Sequence, residues 1–287
     1  MRTLLICHDG AELDRDGLAR WLASFSTFAG TLAIQEPGRR FRKRIAREIA
    51  RVGFWRFLDV LAFRAFHRLT AARGDREWAR RELARLRARF PETPSAPDTI
   101  VPSPNSADAE AFIRGQQPDL VVARCKTLLA QRIFSIPRLG TFVMHPGICP
   151  EYRNAHGCFW AMASGDRGNV GMTLLRIDKG IDTGPVFGYF RVDADPAESH
   201  VVTQHRAVLE HLDAIRDRLL EIEGGTAAPI DTTGRPSAAW GQPWLTAWIK
   251  SRAGLKSEVR SLPGSGTRAD SGAEADFRLP TSDLRRS

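Results

Sequence analysis

Short apolar runs alternate with amphipathic segments along most of the chain. The run from Thr3 to Cys7 predicts a buried strand, and the apolar positions from Leu13 to Leu22 repeat at helical spacing. A second run, Thr31 to Ile34, precedes Pro37-Gly38. This order predicts an opening βαβ unit of a parallel sheet within residues 1–38. The loop after the first strand lacks G-x-G-x-x-G, which is evidence against a dinucleotide site of that kind.

The same alternation resumes at residue 98 and continues to residue 225. Apolar runs predict strands at 99–101, 120–123, 141–144, 170–177 and 186–192, and helical spacing predicts helices at 106–115 and 159–163. The positions from Val201 to Ile222 predict one long helix that ends at Gly224-Gly225, with His205 facing or flanking the core. The pattern therefore predicts an α/β fold with an open, mostly parallel, Rossmann-like sheet.

Residues 39–90 interrupt this alternation with an Arg-rich helical insertion, for which a break is predicted at Gly74-Asp75. The chain carries a net charge of +9, but the stretch from Arg39 to Arg89 holds 17 basic and 5 acidic residues, and the remainder is slightly acidic. Two interpretations of the aromatic cluster 54–58 stay open. Either a helical hairpin packs these rings on the domain, or the segment is a basic amphipathic surface for a membrane or an anionic partner. Because the positive charge is local, the composition gives no strong nucleic-acid signal.

The remaining segments add little chemistry. Residues 91–97 are predicted to be a linker, residues 226–252 a short C-terminal element, and the Ser-, Gly-, Arg- and Asp-rich residues 253–287 a largely disordered tail. The four cysteines lack C-x-x-C spacing, and no ligand cluster suggests a metal. The first apolar run is too short for a signal peptide, and no run reaches the length of a spanning helix. These features predict a cytoplasmic protein and leave its oligomeric state unpredicted.

Two residues carry the clearest candidate chemistry. His145 follows an apolar strand and precedes Pro146 and Gly147, at the sheet edge where open α/β sheets place their ligands. Asp182 lies in a Gly-rich loop between two later strands. A carboxylate that holds a histidine forms an acid-base unit, because it fixes the imidazole tautomer and stabilises the cation. The alternative is that the two residues cap separate loops and never meet.

The stretch from about Asp98 to Phe190 resembles the folate-dependent formyltransferases, which act on glycinamide ribonucleotide, methionyl-tRNA or sugar nucleotides. The residues that match the family pattern, in order, are Gly140, His145, Pro146, Pro150, Tyr152, Arg153, Trp160, Ala161, Gly165, Asp166, Gly171, Thr173, Asp182 and Gly184. The resemblance covers about a third of the chain well, residues 1–38 loosely and the insertion hardly at all. It implies a formyltransferase-type catalytic core at 98–225.

The resemblance also implies a reaction, in which an amine of a small or sugar-linked substrate takes the formyl group of 10-formyltetrahydrofolate. His145 would stabilise the oxyanion or move the proton, and Asp182 would orient His145. The other implied site residues form two sets. Arg124, Lys126, Leu128, Thr183 and Gly184 are the expected folate contacts, and Tyr152, Arg153 and His156 are the expected substrate contacts. No metal is implied.

The sequence departs from the family pattern at two places. Where the family carries a catalytic asparagine, two residues before the histidine, this chain has Val143, which cannot donate a hydrogen bond. Losing an oxyanion donor typically costs about 10²- to 10³-fold in rate. Asn154 and His156 are candidate substitute donors, although Asn154 can equally be a left-handed turn residue and His156 a helix-cap neighbour. The second departure is Arg124-Cys125-Lys126, where the family often has an aromatic-glycine pair.

These departures leave two functions open. The chain is either a working formyltransferase, or a catalytically altered member that serves as a binding or regulatory module or in a different acyl chemistry. Methionyl-tRNA enzymes append a C-terminal β-barrel, whereas the residues after Gly225 are few and polar. A small amine or amino-sugar acceptor is therefore expected rather than transfer-RNA.

Overall fold

The computed structural model describes residues 1–35, 48–195 and 197–252. It is built on a seven-stranded sheet of order β3-β2-β1-β4-β5-β7-β8. These strands are β1 (Arg2–His8), β2 (Thr27–Ile34), β3 (Asp98–Val101), β4 (Leu120–Arg124), β5 (Gly140–His145), β7 (Gly171–Arg176) and β8 (Val186–Arg191). The first five are parallel, and β7 and β8 continue the sheet antiparallel. A separate parallel pair joins β6 (Arg153–Asn154) to β9 (Ala239–Trp240).

Helices cover both faces of the sheet. A π-helical turn (Leu13–Leu18) leads into α1 (Ala19–Ala23), and residues 48–52 are helical. The remaining helices are α2 (Phe54–Thr70), α3 (Ala72–Arg89), α4 (Ala107–Gln116), α5 (Gln131–Phe134), α6 (Gly157–Ala163), α7 (His200–Leu209), α8 (Leu212–Glu223) and α9 (Leu245–Arg252). No helix in the described ranges is both long and apolar enough to cross a membrane.

The central strands are apolar on both sides because both of their faces are covered. Leu5 lies in the larger core, under the helices that carry Trp21 and Leu212. Leu4 and Ile6 point to the other face, where they pack with residues of α4. The predicted α/β fold with a mostly parallel sheet is confirmed.

Two predictions about helix breaks are wrong: one break was not predicted, and another was predicted at the wrong residues. The pattern from Val201 to Ile222 forms two helices, because the ring of His211 contacts the Ala207 carbonyl oxygen (3.2 Å) while its backbone N–H bonds to Val208 instead. The predicted break at Gly74-Asp75 is also wrong, since both residues lie inside α3 and the corner falls at Ala71. The His67 ring bonds to the Asp75 carboxylate across that corner (2.9 Å), which fixes the turn earlier in the chain.

The helical insertion packs on the domain through part of its apolar surface. Phe63 of α2 lies against Phe159 of α6 (centroids 5.4 Å apart), and Leu86 of α3 belongs to the main core. Within the aromatic cluster 54–58, Phe57 is buried, whereas Phe54 and Trp55 are exposed. The predicted packing of this cluster therefore holds for only some of its rings. The start of the predicted insertion, residues 39–47, and the predicted disordered tail, 253–287, lie outside the described residues.

Candidate active site

His145 is the last residue of β5 and is buried at the carboxyl edge of the parallel strands. Its Nε2 lies 2.9 Å from the Tyr152 carbonyl oxygen, and its Nδ1 lies 3.5 Å from Asp182 Oδ2. The structure thus brings together the two residues that the sequence placed on separate loops. The contact with Tyr152 has no sequence signal, because the partner is a backbone atom seven residues along the chain.

The surroundings of His145 favour its charged form. A neutral imidazole has one N–H, whereas both of its ring nitrogens face oxygen acceptors here. Burial alone would lower the pKa of His145. The Asp182 carboxylate, with smaller contributions from Cys149 and the Tyr152 carbonyl, instead raises that pKa to about 10. The contacts of His145 therefore favour a buried imidazolium beside the Asp182 carboxylate at neutral pH.

The backbone around Asp182 fixes the carboxylate in place. Asp182 has a φ of 51°, and the backbone N–H of Asn154 donates to its Oδ2 (2.8 Å). Of the four non-glycine residues with positive φ in the described ranges, three are Asn154, His156 and Asp182. Left-handed backbone costs free energy in residues other than glycine, and it concentrates where geometry serves function.

A buried hydroxyl organises the loop that follows His145. Thr173 on β7 donates its hydroxyl to the Gly147 carbonyl oxygen (2.7 Å) and accepts the N–H of Cys149 (2.9 Å). A Cβ at Gly147 would collide with the Tyr152 carbonyl and would stand 2.8 Å from His145 Nε2. Only glycine fits at position 147 while Tyr152 keeps its contact with the histidine.

We expect Thr173→Val to lower the free energy of unfolding by about 1–3 kcal/mol, because the buried Cys149 N–H loses its acceptor while the side-chain volume is kept. Thr203→Val is the matched control. Thr203 is equally buried, but its hydroxyl only donates to Ser199 within a helix (3.1 Å). Urea unfolding of both variants tests the expectation, and equal losses would contradict it.

Val143 lies two residues before His145 on the same face of β5. It packs with Tyr189 against a small cluster of Cys149, Leu175 and Val186. The Tyr189 hydroxyl, the polar group in this set, donates to the Cys149 carbonyl oxygen (2.7 Å). The position that holds the family's carboxamide is thus lined mainly by apolar side chains.

The two candidate substitute donors have partners elsewhere. The Asn154 side-chain nitrogen donates to the Trp240 carbonyl oxygen (2.6 Å), and the backbone of Asn154 is left-handed. His156 is the N-cap residue of α6, and its Nδ1 lies 3.4 Å from Gln204 Nε2. Both placements match the turn and cap alternatives, and Asn154 serves the site through its backbone N–H.

His156 belongs to a group of rings in tilted and edge-to-face contact between the insertion and the domain. Its ring centroid is 5.5 Å from that of His200, which is 5.0 Å from that of His67. Burial, followed by the positive charge of Lys126, lowers the pKa of His156 to about 4, and burial holds the pKa of His200 well below its ordinary value. The packed structure therefore favours neutral rings at these positions.

Acidification should destabilise the protein through this group. The folded-state pKa of His156 lies below the unfolded value of about 6.5. Its contribution is therefore present above pH 6.5 and is lost as the pH falls through about 4. We expect the free energy of unfolding to fall by about 3 kcal/mol more in the native chain than in His156→Gln between pH 7 and pH 4. Urea unfolding across that range tests this, and parallel curves would contradict it.

The five predicted folate contacts lie in different environments: some are bonded within the fold and others are exposed. Arg124 is nearly buried, with its Nε 3.3 Å from Asp14 Oδ1 and its Nη1 donating to the Met144 carbonyl (2.6 Å). Its guanidinium thus braces β5 from within the fold. Lys126 and Leu128 are exposed beyond the end of β4.

The other two predicted folate contacts stabilise their own loop. The Thr183 hydroxyl donates to Asp178 Oδ1 (2.8 Å). Gly184 is buried, and a Cβ there would collide with the Arg176 backbone. The β7–β8 connection therefore accounts for the glycine without any ligand.

The predicted substrate contacts Tyr152 and Arg153 also have structural partners. The Tyr152 hydroxyl donates to Asp166 (2.9 Å), and its ring is buried against Trp240 (centroids 5.9 Å apart). Substrate contact through the Tyr152 side chain is not supported by this placement. Arg153 Nη1 donates to the Ile181 carbonyl (3.0 Å), while its Nε is buried without a hydrogen-bond partner in the described structure.

Trp240 shapes the site, although no sequence pattern predicts this role. Its ring also stacks on Trp160 (centroids 4.8 Å apart), and its indole N–H donates to the Glu151 carbonyl (2.9 Å). Its strand, β9, pairs with β6, which carries Asn154. The aromatic run 240–248 was the available signal, but nothing in the sequence joined it to a loop almost ninety residues earlier.

No group of three or more His, Cys, Asp or Glu in the described part of the chain is arranged to hold a metal ion.

Part of the sequence is similar to known proteins. The sequence profile described as formyl transferase matches residues 99–215. Methionyl-tRNA formyltransferase of Thermus thermophilus is 32% identical over 135 residues, which are 42% of this chain and 44% of that enzyme. The Thermotoga neapolitana enzyme is 29% identical over 122 residues, 42% of this chain and 39% of its own length. The chain thus spans about two fifths of the length of these curated relatives.

Solved structures share the fold. A sugar N-formyltransferase from a Shewanella species superposes with a TM-score of 0.51 at 14% identity, covering 84% of this chain and 76% of that one. A phosphoribosylglycinamide formyltransferase from Anaplasma phagocytophilum gives 0.50 at 12% identity, covering 81% and 94%. Residues 99–215, which match the formyl transferase profile, hold His145, Asp182 and the loops around them.

Proposed function

We propose that this protein is a formyltransferase that moves a formyl group from 10-formyltetrahydrofolate to an amine of a small or sugar-linked substrate. The observation that carries the proposal is the buried His145–Asp182 pair at the carboxyl edge of the sheet. The family match and the names of the relatives support the reaction class. The similarity to the methionyl-tRNA enzymes spans less than half of their length, so it does not extend to their transfer-RNA substrate.

The residues around the site fit a folate donor in two ways. Leu128, with 52% of its surface exposed, offers apolar contact to a ring, and the adjacent exposed Lys126 offers positive charge to a glutamate carboxylate. The buried, unpartnered Nε of Arg153 lies on a guanidinium bonded to the Asp182 loop, and it can donate to an acceptor atom of a ligand. When bound, the folate supplies the formyl group and its N10 is the leaving nitrogen.

His145, Asp182 and the backbone N–H of Asn154 stabilise the charges that develop in this reaction. Attack of a neutral amine on the formyl carbon places negative charge on the formyl oxygen and positive charge on the attacking nitrogen. His145, held as a cation, stabilises that oxygen by its charge and donates its proton to the leaving nitrogen; the neutral imidazole then takes up the proton that the attacking nitrogen loses. Asp182 keeps the imidazolium favourable, and the N–H of Asn154 keeps Asp182 in place.

The test is to incubate the full chain with 10-formyltetrahydrofolate and panels of amino-sugar nucleotides and other primary amines, and to follow both acceptor mass and folate release. A mass increase of one formyl group that depends on His145 supports the proposal. Folate binding without formyl transfer to any amine would favour the second candidate, a binding module. That candidate rests on Val143 and its apolar surroundings.

A further inference from the structure

Helix α2 presents apolar side chains on two opposite faces. The face toward the domain buries Phe57, Val60 and Phe63. The outer face exposes five large apolar side chains to solvent. They are Phe54 (55% exposed), Trp55 (80%), Leu58 (39%), Leu61 (41%) and Leu69 (85%).

The exposed side chains form one continuous strip. Phe54, Leu58, Leu61, Ala65 and Leu69 recur at spacings of four and three, which aligns them along one side of the helix. Trp55 widens the strip at its N-terminal end. The 17-residue helix gives the strip a length of about 25 Å. Scattered exposed leucines are ordinary on protein surfaces, whereas a contiguous strip of this length is typical of an interaction site.

The charge around the strip is positive. Arg68 is exposed and lies seven residues after Leu61, within the strip, and Arg64 borders it. Asp59, the acidic residue of this helix, lies outside the strip. It accepts the backbone N–H of Thr246 (3.0 Å) and is 3.6 Å from Arg56. In the sequence, residues 39–47 add six Arg or Lys and no Asp or Glu just before the helical segment 48–52.

We propose that this outer face of α2, defined by residues 54, 55, 58, 61, 65 and 69, is a docking surface for an anionic phospholipid bilayer. The helix lies along the membrane with Trp55, Phe54 and the leucines among the outer acyl carbons, while the arginines meet lipid phosphates. A nucleic-acid surface would place cations and stacking rings where this strip has leucines and alanine. A second copy of the same face would bring its arginines against like charges.

The test is sedimentation of the full chain with vesicles. The native chain should pellet with mixed phosphatidylcholine–phosphatidylglycerol vesicles and much less with phosphatidylcholine alone. Trp55→Ser combined with Leu69→Ser should weaken partitioning at least about tenfold, because both side chains would leave the acyl region. Both residues are mostly exposed, so the double variant should keep the fold and whatever formyl-transfer activity the native chain has.

Two control variants test whether vesicle binding depends on the α2 face itself or on any exposed apolar or basic side chain. Ile100→Ser removes an aliphatic side chain that is 51% exposed on edge strand β3, and Arg138→Gln removes an exposed arginine near Asp119. Neither should change vesicle binding, whereas Arg68→Gln should weaken it on phosphatidylglycerol. Equal pelleting of the native chain and the double variant would overturn the proposal. So would salt-sensitive RNA binding, or self-association lost in the double variant, if either occurred without vesicle binding.

Discussion

Asp182→Asn should lower kcat for formyl transfer by about 10²- to 10⁴-fold, the range that a positioned acid-base group typically contributes. The amide keeps the shape of the side chain and removes its charge. His145 would then remain buried beside the Tyr152 carbonyl without the carboxylate that makes its protonated form favourable. The pKa of His145 should therefore fall, and the pH profile of kcat should shift toward acid by more than a unit.

Asp178→Asn is the matched control, because Asp178 lies on the same loop but bonds only to the loop itself. Its Oδ1 accepts the N–H of Gly180 (2.9 Å) and the hydroxyl of Thr183 (2.8 Å). Asp178→Asn should change kcat less than about tenfold and leave the pH profile in place. If the two variants lose activity equally with the same pH profile, Asp182 holds only the loop and the acid-base assignment to this pair is wrong.

Loss of charge on His145 also has a consequence for stability. Because the folded-state pKa of His145, about 10, lies above the unfolded value of about 6.5, the stabilisation from this pair is fully present below pH 6.5. It is lost as the pH rises through about 10. The direction is opposite to that of His156, whose contribution to stability is lost toward acid pH.

The sequence predicts the strands that carry this site better than it predicts the contacts within the site. The strands that carry Val143 and Thr173 are continuous apolar runs, and such runs identify strands covered on both faces. The meeting of His145 and Asp182 is suggested by the family pattern and not by strand order, because β7 is antiparallel to β5 and the two strands end at opposite edges of the sheet. In each case the side chain itself carries the signal.

The contacts that could not be predicted run through backbone atoms or through residues distant in sequence. The His145 ring contacts the backbone carbonyl of Tyr152, and Asp182 accepts the backbone N–H of Asn154. Because every residue type except proline has both backbone groups, the identity of residues 152 and 154 does not predict either contact. The Trp240 ring packs on Tyr152, which lies 88 positions earlier in the chain. Local periodicity also missed the break at His211, because one side-chain bond to a carbonyl outweighs a hydrophobic pattern that is compatible with a continuous helix.

Val143→Asn is the substitution expected to raise activity, by up to about 10²-fold in kcat, if the reaction runs without the family's carboxamide. Position 143 shares a strand face with His145, so an asparagine there points to the same side as the imidazolium. The new carboxamide can donate to the formyl oxygen as its charge develops. KM should change little, because this hydrogen bond strengthens only in the transition state.

The gain should come with a loss of stability. Val143 packs against Cys149, Leu175 and Val186, and a carboxamide without a bound substrate leaves polar atoms against that apolar cluster. The expected loss in free energy of unfolding is about 1–3 kcal/mol, measured by urea unfolding. Val143→Leu, which adds volume but no donor, should lose stability without gaining rate. An unchanged kcat in a folded Val143→Asn protein would mean that another group already stabilises the oxyanion, and His145 would be the group to which that role falls.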